Sequence, residues 1–271
     1  VDYSHHGLVG KLNASTFNFT WFTSFDVYGF KGASLESLIT SNGQVTAVGS
    51  LETPSRDDFG LIVDYSSEGI PNRGYWMNTT IESVSFYGVA ETNDNGMAFL
   101  GKGSEPSSSG CDNSVLVVGK LFQNRSLDWG FTMKDLVCDN SMSALNVFAE
   151  GGYVYVLGVF GNSADYNDDD MIHQKNYFLS KFHSTNGSDV YSKLYFSTLN
   201  FYRGDSADIS HTSDAVVFTG RTDNGTAFMM EVDLNSGVAN WGEHFGTGSD
   251  EASSLGMAKK DDSTGFYNAV G

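Results

Sequence analysis

Val154-Tyr-Val-Leu-Gly158 is a short apolar run that ends in glycine, and runs of this form recur along the chain. The others are Val45-Thr-Ala-Val-Gly49, Met97-Ala-Phe-Leu-Gly101, Val216-Val-Phe-Thr-Gly220 and Tyr267-Asn-Ala-Val-Gly271. Successive glycines of the set are 52, 57, 62 and 51 residues apart. Short apolar runs bounded by Gly, Asn and Asp are typical of β-strands. The recurrence indicates a structural repeat, and we name this run strand b.

Three further runs accompany each strand b. A second apolar run, strand c, follows a variable loop: Phe59–Tyr65, Ser114–Leu121, Tyr177–Phe182 and Ala227–Leu234. An aromatic run, strand d, comes next: Gly74–Met77, Asp128–Phe131, Lys193–Phe196 and Asn240–Phe245. A Ser/Ala/Asp-rich strand a precedes strand b, as in Ser34–Ile39 and Asp205–Ser210. Four strands in roughly 50 residues is the period of a β-propeller blade.

Counting the runs predicts five blades. Gly7–Leu12 and Phe17–Phe22 provide only strands c and d, whereas 248–271 provides only strands a and b. The two ends together make one blade. The prediction is an all-β, five-bladed propeller of four-stranded blades with very little helix, because no stretch keeps a 3.6-residue apolar period. The expected blades are 248–271 plus 1–25, 26–79, 80–134, 135–198 and 199–247.

One repeat unit resembles a known family. Val232-Asp-Leu-Asn-Ser-Gly237-Val-Ala-Asn-Trp241 and Gly248-Ser-Asp250-Glu-Ala252 are similar to the SBBP-type β-propeller repeat of the quinoprotein-like propeller superfamily. The resemblance extends over nearly the whole chain. It implies a propeller, and it implies no particular chemistry. Five units and long, irregular b–c loops depart from the family pattern.

The charge balance excludes one class of partner. The 271 residues carry 15 Lys and Arg against 33 Asp and Glu, a formal net charge of −18. A phosphate backbone needs a basic face, so we expect no nucleic-acid partner. No run approaches the 18 or so apolar residues of a membrane helix, so no membrane span is expected. With 40% hydrophobic residues, the chain can build a core and is not disordered throughout.

Six Asn-x-Ser/Thr sequons suggest an extracellular or cell-surface glycoprotein carrying N-linked glycans. They lie at Asn13, Asn18, Asn78, Asn124, Asn186 and Asn224. We expect most of them in turns or on the outer rim, with Asn13, Asn124 and Asn186 in c–d turns and Asn18 within an outer strand. An acidic protein with incidental sequons is the alternative. The chain begins Val1-Asp2-Tyr3, so we expect a processed chain or a segment of a longer one.

Cys111 and Cys138 are the two cysteines, and their spacing fits no CxxC or zinc motif. The b–c loop that holds Cys111 and the d–a connection that holds Cys138 share one face of a propeller, which makes a disulfide plausible. With 26 residues between the cysteines, such a bond would stabilise the fold by roughly 3 kcal/mol. Two unpaired buried thiols are the alternative.

Oxygen ligands alternate in the longest loop, where Asp165, Asn167 and Asp169 form a candidate calcium site. The loop lacks the glycine and the twelfth-position carboxylate of an EF-hand, and a solvated acidic loop is the competing interpretation. The adjacent His5 and His6 lack a further ligand motif, so we expect them to be exposed. Calcium is the one cofactor considered.

Glycoside hydrolysis and carbohydrate binding are the two alternatives to a role in assembly. Glu36, Asp208 and Glu251, on or near strands a, are the candidate carboxylates of a glycoside hydrolase, although capping of turns and solvation of the channel are the preferred interpretation. The d strands hold tryptophans that a carbohydrate-binding propeller could use as platforms, although their common register in four of the five blades favours a repeated role in inter-blade packing: Trp21, Trp76, Trp129 and Trp241.

The split blade favours self-association over both. A chain cut in mid-blade can close on itself, or it can donate its c–d pair to the a–b pair of the next molecule. We expect a non-enzymatic structural subunit of an extracellular filament or surface coat, associating head-to-tail with copies of itself. A carbohydrate-binding propeller is the alternative, and a glycoside hydrolase comes third.

Overall fold

The computed structural model describes residues 7–25, 30–41, 43–55, 58–77, 81, 83–104, 114–134, 140–162, 175–195, 209–221, 227–245, 256–258 and 268–270. Every regular element in these ranges is a β-strand, which confirms the all-β prediction. Among these residues no helix is long and apolar enough to cross a membrane.

The described strands form four sheets of four strands and two sheets of two, all antiparallel. The first sheet, named the half-blade, contains β1 (Gly7–Leu12) and β2 (Phe19–Phe25). Sheet 2 contains β3 (Gly32–Ser41), β4 (Gln44–Glu52), β5 (Asp58–Tyr65) and β6 (Pro71–Met77). Sheet 3 contains β7 (Ser83–Glu91), β8 (Met97–Ser104), β9 (Ser114–Leu121) and β10 (Leu127–Met133).

The remaining sheets follow the same plan. Sheet 4 contains β11 (Asn140–Glu150), β12 (Tyr153–Asn162), β13 (Lys175–His183) and β14 (Asp189–Tyr195). Sheet 5 contains β15 (Ile209–His211), β16 (Ala215–Arg221), β17 (Ala227–Asp233) and β18 (Ala239–Phe245). A last hairpin joins β19 (Gly256–Ala258) to β20 (Asn268–Val270). In each four-stranded sheet the strands pair in chain order, which is the meander design of a propeller blade.

The strands of a blade differ in how far they are buried. Strands b and c of sheets 2 and 3 are almost wholly buried, whereas β6 and β18 at the d edge are largely exposed. A strand buried on both faces reads as a continuous apolar run, and a half-exposed one does not. This explains why the b and c runs dominate the sequence pattern.

In sheets 2, 3 and 4 the glycine that ends the b run sits opposite an irregularity in strand a. Pairing shifts beside Gly49, Gly101 and Gly158, where strand a holds one extra residue: Glu36, Tyr87 and Leu145. A Cβ on Gly49 would overlap the carbonyl oxygen of Ser34, and one on Gly101 would lie 2.7 Å from that of Ser85. The bulge brings the two backbones so close that no other residue fits.

A second bulge recurs between strands c and d, beside a charged residue of strand c. The charged residues at this point are Lys11, Asp64, Lys120, Lys181 and Glu231. In sheets 2 to 5 this charged residue lies three positions after the strand-c residue that pairs with the glycine of strand b. The repeat is therefore a repeat of backbone irregularities as well as of apolar runs.

By its internal contacts the chain divides into two compact units, Val1–Lys134 and Asp135–Gly271. In the first unit, Val48 and Ile62 of sheet 2 share a core with Phe86 and Phe99 of sheet 3. On the other side of sheet 2, Val9 of the half-blade joins another core. Consecutive sheets thus pack face to face, as neighbouring blades do.

In the second unit, sheets 4 and 5 share a single aromatic core. It contains Phe148, Tyr155, Tyr177, Phe218 and Phe228. Tyr177 stacks on Phe218 and meets Phe228 edge-to-face, with ring centroids 5.5 and 5.1 Å apart. Aromatic pairs in these geometries add to the burial of their surface.

Strand β2 starts later than the sequence pattern suggests. The expected d strand at Phe17–Phe22 is observed at Phe19–Phe25, because Phe17 has a φ of 55° and belongs to the turn. Asn18 consequently lies in the turn and not in an outer strand. The half-blade and the β19–β20 hairpin belong to different units, so the shared fifth blade stays a prediction.

Candidate functional site

One face of the half-blade is apolar and exposed. Leu12 pairs with Phe19 and Gly10 with Phe22, so these side chains and that of Leu8 project on the same side. Leu8, Leu12, Phe19 and Phe22 are between 51% and 63% exposed, and we name them the open face. Phe19 and Phe22 contact each other edge-to-face at 5.5 Å. The opposite side, with Val9, Trp21 and Phe25, packs on sheet 2.

Phe17 adds strain to the same hairpin. Its φ of 55° is a left-handed conformation, and the corresponding residue of the c–d turn is Gly187 in sheet 4 and Gly237 in sheet 5. A side chain at this φ costs about 1 kcal/mol. Phe17 is also 79% exposed, the highest value among the described large apolar residues. An exposed aromatic ring on a strained turn is a feature that folding alone does not explain.

The first unit also contains a cleft of about 540 Å³ between sheets 2 and 3, which we name the polar cleft. Turn residues of both sheets line it, among them Ser41, Gln44, Asn95 and Gln123. Asp64 lies at its base, where the side chain accepts hydrogen bonds from Arg125 at 3.0 and 2.8 Å. Arg125 also contacts the Thr46 hydroxyl at 3.1 Å. The two sheets are therefore tied together beneath the cleft.

Arg125 occupies a position that suits glycine. Its φ is 67°, and the corresponding residue in the c–d turn of sheet 2 is Gly69 with a φ of 78°. The turn thus accepts a strained arginine, whose guanidinium is then held by Asp64 and Thr46. Asn95, with a φ of 58°, provides a second left-handed residue at the rim. Two of the three non-glycine residues with positive φ in the described ranges therefore line this cleft.

Two of the three lysines at the charged c-strand position, Lys120 and Lys181, are buried, and neither lines the polar cleft. Lys120 is 1% exposed and contacts Asp94 at 2.5 Å and Asp128 at 3.0 Å. Lys181 is 4% exposed and donates to the Leu234 carbonyl at 2.9 Å. Its ammonium lies 4.0 Å from the centre of the Tyr153 ring. Both lysines join strands and turns, and neither is placed to act on a ligand.

The tryptophans do not share one register. Trp21, Trp129 and Trp241 pair with the charged c-strand residues Lys11, Lys120 and Glu231. Trp76 pairs with Leu61, three residues earlier along strand c, and is 57% exposed. The expectation of one packing register for all four is therefore wrong for Trp76. Trp129 is buried and Trp21 donates to the Ser67 carbonyl at 2.9 Å, which are structural roles.

Four sequon asparagines, Asn13, Asn18, Asn124 and Asn186, are exposed and lie in c–d turns, and all but Asn18 close the turn through the side chain. Asn13 accepts backbone hydrogen bonds from Ser15 and Thr16 through its side-chain oxygen. Asn124 and Asn186 do the same for Ser126 and Ser188. The side-chain nitrogen, where a glycan would attach, has no partner among the described residues. Sequence position alone could not reveal this orientation of the carboxamides.

Other predicted site residues lie outside the described residues. These are Asn78, Asn224, Cys111, Cys138, Asp165, Asn167, Asp169, Asp208, Glu251, His5 and His6. Glu36 is described and is the exposed bulge residue of strand a in sheet 2. Among the described residues, no three His, Cys, Asp or Glu side chains are grouped as metal ligands would be.

The polar cleft was not anticipated from the sequence. Its residues come from turns and strands of two sheets, and no single sequence motif groups them. The one available signal was Arg125, which stands where a short turn favours glycine or asparagine.

Comparisons with known proteins identify no family. No family model matches the chain, and no curated protein matches it, so the resemblance to the SBBP-type repeat is not confirmed. Among solved structures, BamB from Moraxella catarrhalis has a TM-score of 0.44 at 12% identity, covering 80% of this chain and 51% of that one. A Synechocystis apocarotenoid oxygenase has a TM-score of 0.47 at 12% identity, covering 88% and 56%.

A subtype N10 neuraminidase-like protein of A/little yellow-shouldered bat/Guatemala is similar at a TM-score of 0.47 and 10% identity, covering 78% and 57%. The chain thus spans little more than half the length of these three structures. At TM-scores below 0.5 the likenesses decide neither the number of blades nor an activity. What stands on the chain's own geometry is an all-β repeat protein of stacked four-stranded meanders.

Proposed function

We propose that the chain is a non-enzymatic extracellular glycoprotein that assembles with further copies of itself through the half-blade. The observation that carries the proposal is the open face of Leu8, Leu12, Phe19 and Phe22, flanked by the strained and exposed Phe17. Contiguous apolar surface of this kind marks an interaction site when it stays uncovered.

The occupant is a second copy, because the chain itself contains the complementary element. A complete blade has four strands, the half-blade has two, and β19–β20 is a hairpin of the missing a–b type. Strand β1 pairs only with β2 among the described residues, so its other edge can accept strand β20 of another molecule. The full assembly unit is a five-bladed propeller in which one blade joins two terminal hairpins.

After head-to-tail donation, each end of the assembly still has one unused contact surface. Each copy offers one c–d half-blade and one a–b hairpin, so the contact is heterologous and propagates into a filament or surface coat unless it closes. The apolar open face is then covered by the neighbouring copy. A closed ring made by one chain is the competing arrangement, and it would cover the same face without assembly.

The glycoprotein part of the proposal is supported by the sequon turns. Asp233 closes its c–d turn by accepting a hydrogen bond from the Ser236 backbone amide, as Asn13 does at the equivalent position from the Thr16 backbone amide. A carboxylate therefore serves this turn as well as a carboxamide, and turn closure alone does not require asparagine. Asparagine at three such turns is what N-glycosylation would need.

The test combines negative-stain imaging with the native mass of the full chain, before and after enzymatic removal of N-linked glycans. We expect concentration-dependent oligomers and a mass loss on deglycosylation. The double variant Phe19→Ser/Phe22→Ser should raise the concentration for half-assembly at least about 10-fold, since each buried Phe contributes roughly 1.5–3 kcal/mol.

The matched controls are Leu127→Ser and Val238→Ser, whose side chains are 57% and 58% exposed on other sheets. They should leave assembly unchanged. A monodisperse monomer at high concentration, in which the Phe19/Phe22 variant lowers the melting temperature, would show that the chain closes on itself and would overturn the proposal.

A further inference from the structure

The polar cleft has the size and the construction of a small-ligand site. Its volume of about 540 Å³ lies within the range of ligand pockets, roughly 300–1,000 Å³. Three turns and one strand end build it: the a–b turns of sheets 2 and 3, the c–d turn of sheet 3, and the start of β6. Binding residues on turns held by a rigid sheet scaffold are a common arrangement.

The lining carries no net charge. Arg73 and Arg125 contribute two positive charges, and Asp64 and Glu91 contribute two negative ones, so 2 − 2 = 0. These groups are also engaged within the protein: Arg125 is bonded to Asp64, Glu91 accepts from Ser41 at 2.6 Å, and Arg73 is hydrogen-bonded to the Tyr75 side chain. A phosphate or carboxylate ligand would need an uncompensated cation. The balance favours a ligand without charge.

Carboxamides dominate the rest of the lining. Gln44, Asn72, Asn95 and Gln123 each present one acceptor and two donor hydrogens. None of these four side chains has a hydrogen-bond partner among the described residues. Groups that donate and accept at once suit hydroxyl groups, which do the same. A ligand with many neutral hydroxyls can satisfy these amides, whereas an apolar ligand cannot.

Part of the wall is apolar. Tyr75 is half-buried against the core of sheets 2 and 3, and Met97 and Ile39 lie nearby. A sugar ring has one face of C–H groups and a rim of hydroxyls, so an aromatic wall and an amide rim match its two sides. An open polyol lacks such a face.

The site is fixed before any ligand arrives. Arg125 is held by hydrogen bonds to Asp64 and Thr46. The a–b turn of sheet 3 is closed by a 2.9 Å hydrogen bond from the backbone N–H of Asn95 to the Thr92 carbonyl. Strained left-handed residues at both turns persist only because the surroundings hold them. Preorganisation of this kind reduces the ordering that binding would require.

We infer that the polar cleft between sheets 2 and 3 binds a neutral oligosaccharide, with Gln44, Asn72 and Gln123 bonding its hydroxyls and Tyr75 contacting a ring face. The inference does not rest on assembly through the half-blade, because no residue of the cleft belongs to β1 or β2.

The experiment uses the full chain after enzymatic removal of N-linked glycans, since Asn124 lies between two cleft residues and its own glycan could occupy the site. An array of neutral and anionic glycans is followed by isothermal titration with maltotriose, chitotriose, sialyllactose and inorganic phosphate. We expect binding of at least one neutral glycan and none of phosphate.

The double variant Gln44→Ala/Gln123→Ala removes two exposed carboxamides that bond nothing in the described protein, so the fold should be unaffected. It should weaken the neutral glycan at least about 10-fold, as two lost hydrogen bonds predict. The control Asn235→Ala removes an exposed carboxamide on sheet 5 and should change nothing. The variant Phe19→Ser/Phe22→Ser should bind like the unmodified chain.

Several results overturn the inference. They are the absence of any neutral glycan among the ligands, full retention of affinity in the Gln44/Gln123 variant, and preferential binding of sialyllactose or phosphate. Loss of affinity in the Phe19/Phe22 variant alone would place the sugar at the half-blade and would overturn it too.

Discussion

Lys120 of sheet 3 and Lys181 of sheet 4 occupy the same position of the repeat, but their surroundings differ in chemistry. Each lies three residues after the strand-c partner of the b glycine, on the strand-c side of the same bulge. Lys120 is held by the carboxylates of Asp94 and Asp128. Lys181 is held by the Leu234 carbonyl and by the faces of tyrosine rings.

The pKa values of the two lysines move in opposite directions. Burial alone would lower the pKa of Lys120, but hydrogen bonds to Asp94 and Asp128 outweigh it and raise the pKa above its ordinary value. Burial lowers the pKa of Lys181, and the nearby charge of Asp233 only partly opposes this. A buried ammonium needs compensation, which an anion gives in full and a ring face or carbonyl gives in part.

The comparison shows what the repeat conserves within this chain. Backbone features, namely the b glycine and the two bulges, recur from sheet to sheet, whereas the side chains that neutralise the charged position are specific to each sheet. In sheet 4 the carbonyl comes from the turn of sheet 5, so Lys181 also ties two sheets together. In sheet 3 both carboxylates belong to the same sheet or its turns, so Lys120 stabilises one blade internally.

The largest expected effect comes from replacing each lysine by methionine. Lys120→Met leaves Asp128, only 14% exposed, without its cation, and we expect a loss of about 2 kcal/mol in the free energy of unfolding. Lys181→Met places an apolar chain among tyrosine rings, and Tyr191 still donates to the Leu234 carbonyl at 3.1 Å. We expect a loss of about 1 kcal/mol there. Urea unfolding of both variants measures the difference.

The triple variant Lys120→Met/Asp94→Asn/Asp128→Asn is the control, because removing the partners together with the lysine should recover part of the loss. Equal losses for Lys120→Met and Lys181→Met would contradict the interpretation that the two lysines are compensated differently.

A smaller effect is expected from acid. Burial alone would raise the pKa of Asp94. Hydrogen bonds from Lys120, from Thr92 and from the Gly96 backbone amide outweigh burial and hold this pKa at about 2, against an ordinary value of 3.8. A carboxyl with a lowered folded-state pKa stabilises the fold fully above about pH 4 and loses this contribution as the pH falls to about 2. Because the Asp94 side chain is 52% exposed, we expect about 1 kcal/mol.

Urea unfolding of the unmodified chain and of Asp94→Asn at pH 5 and at pH 2.5 tests this. The free energy of unfolding of Asp94→Asn should be lower than that of the unmodified chain at pH 5, and this difference should be smaller at pH 2.5. Lys181→Met should keep the acid dependence of the unmodified chain. An unchanged gap between the two pH values would show that Asp94 does not titrate in this range.

These contrasts mark where sequence reasoning succeeded. The b runs could be recognised because Gly49, Gly101 and Gly158 are imposed by a backbone contact that any side chain would block. Strand type and order followed from apolar periodicity, and both are local properties. Pairings between turns, such as Arg125 with Asp64, join residues 61 positions apart and depend on how sheets stack. No local pattern encodes that stacking, so the polar cleft could not be predicted.

The errors at strand d are errors of register. Tryptophans at similar sequence positions reach different registers although the same c–d bulge recurs in sheets 2 and 3, because Arg73, and not Trp76, pairs with Asp64 in sheet 2. Trp76 and Trp129 illustrate this, since only Trp129 pairs with the charged residue of its neighbouring strand. The left-handed Phe17 likewise delays strand β2 by two residues. A sequence pattern shows that strands exist more reliably than it shows their register.

The smallest expected effect extends the comparison from lysines to buried tyrosines, one in each unit. The Tyr65 hydroxyl is fully buried with no partner among the described residues, and burial raises its pKa to about 12. The Tyr195 hydroxyl donates to the Gly237 carbonyl at 3.0 Å. Tyr65→Phe removes an uncompensated polar group and should stabilise the fold by about 0.5–1 kcal/mol, whereas Tyr195→Phe should destabilise it by about 1 kcal/mol. Thermal and urea unfolding give the two signs directly. Destabilisation by Tyr65→Phe would mean that its hydroxyl has a partner, such as a buried water, and that both units satisfy their buried polar groups alike.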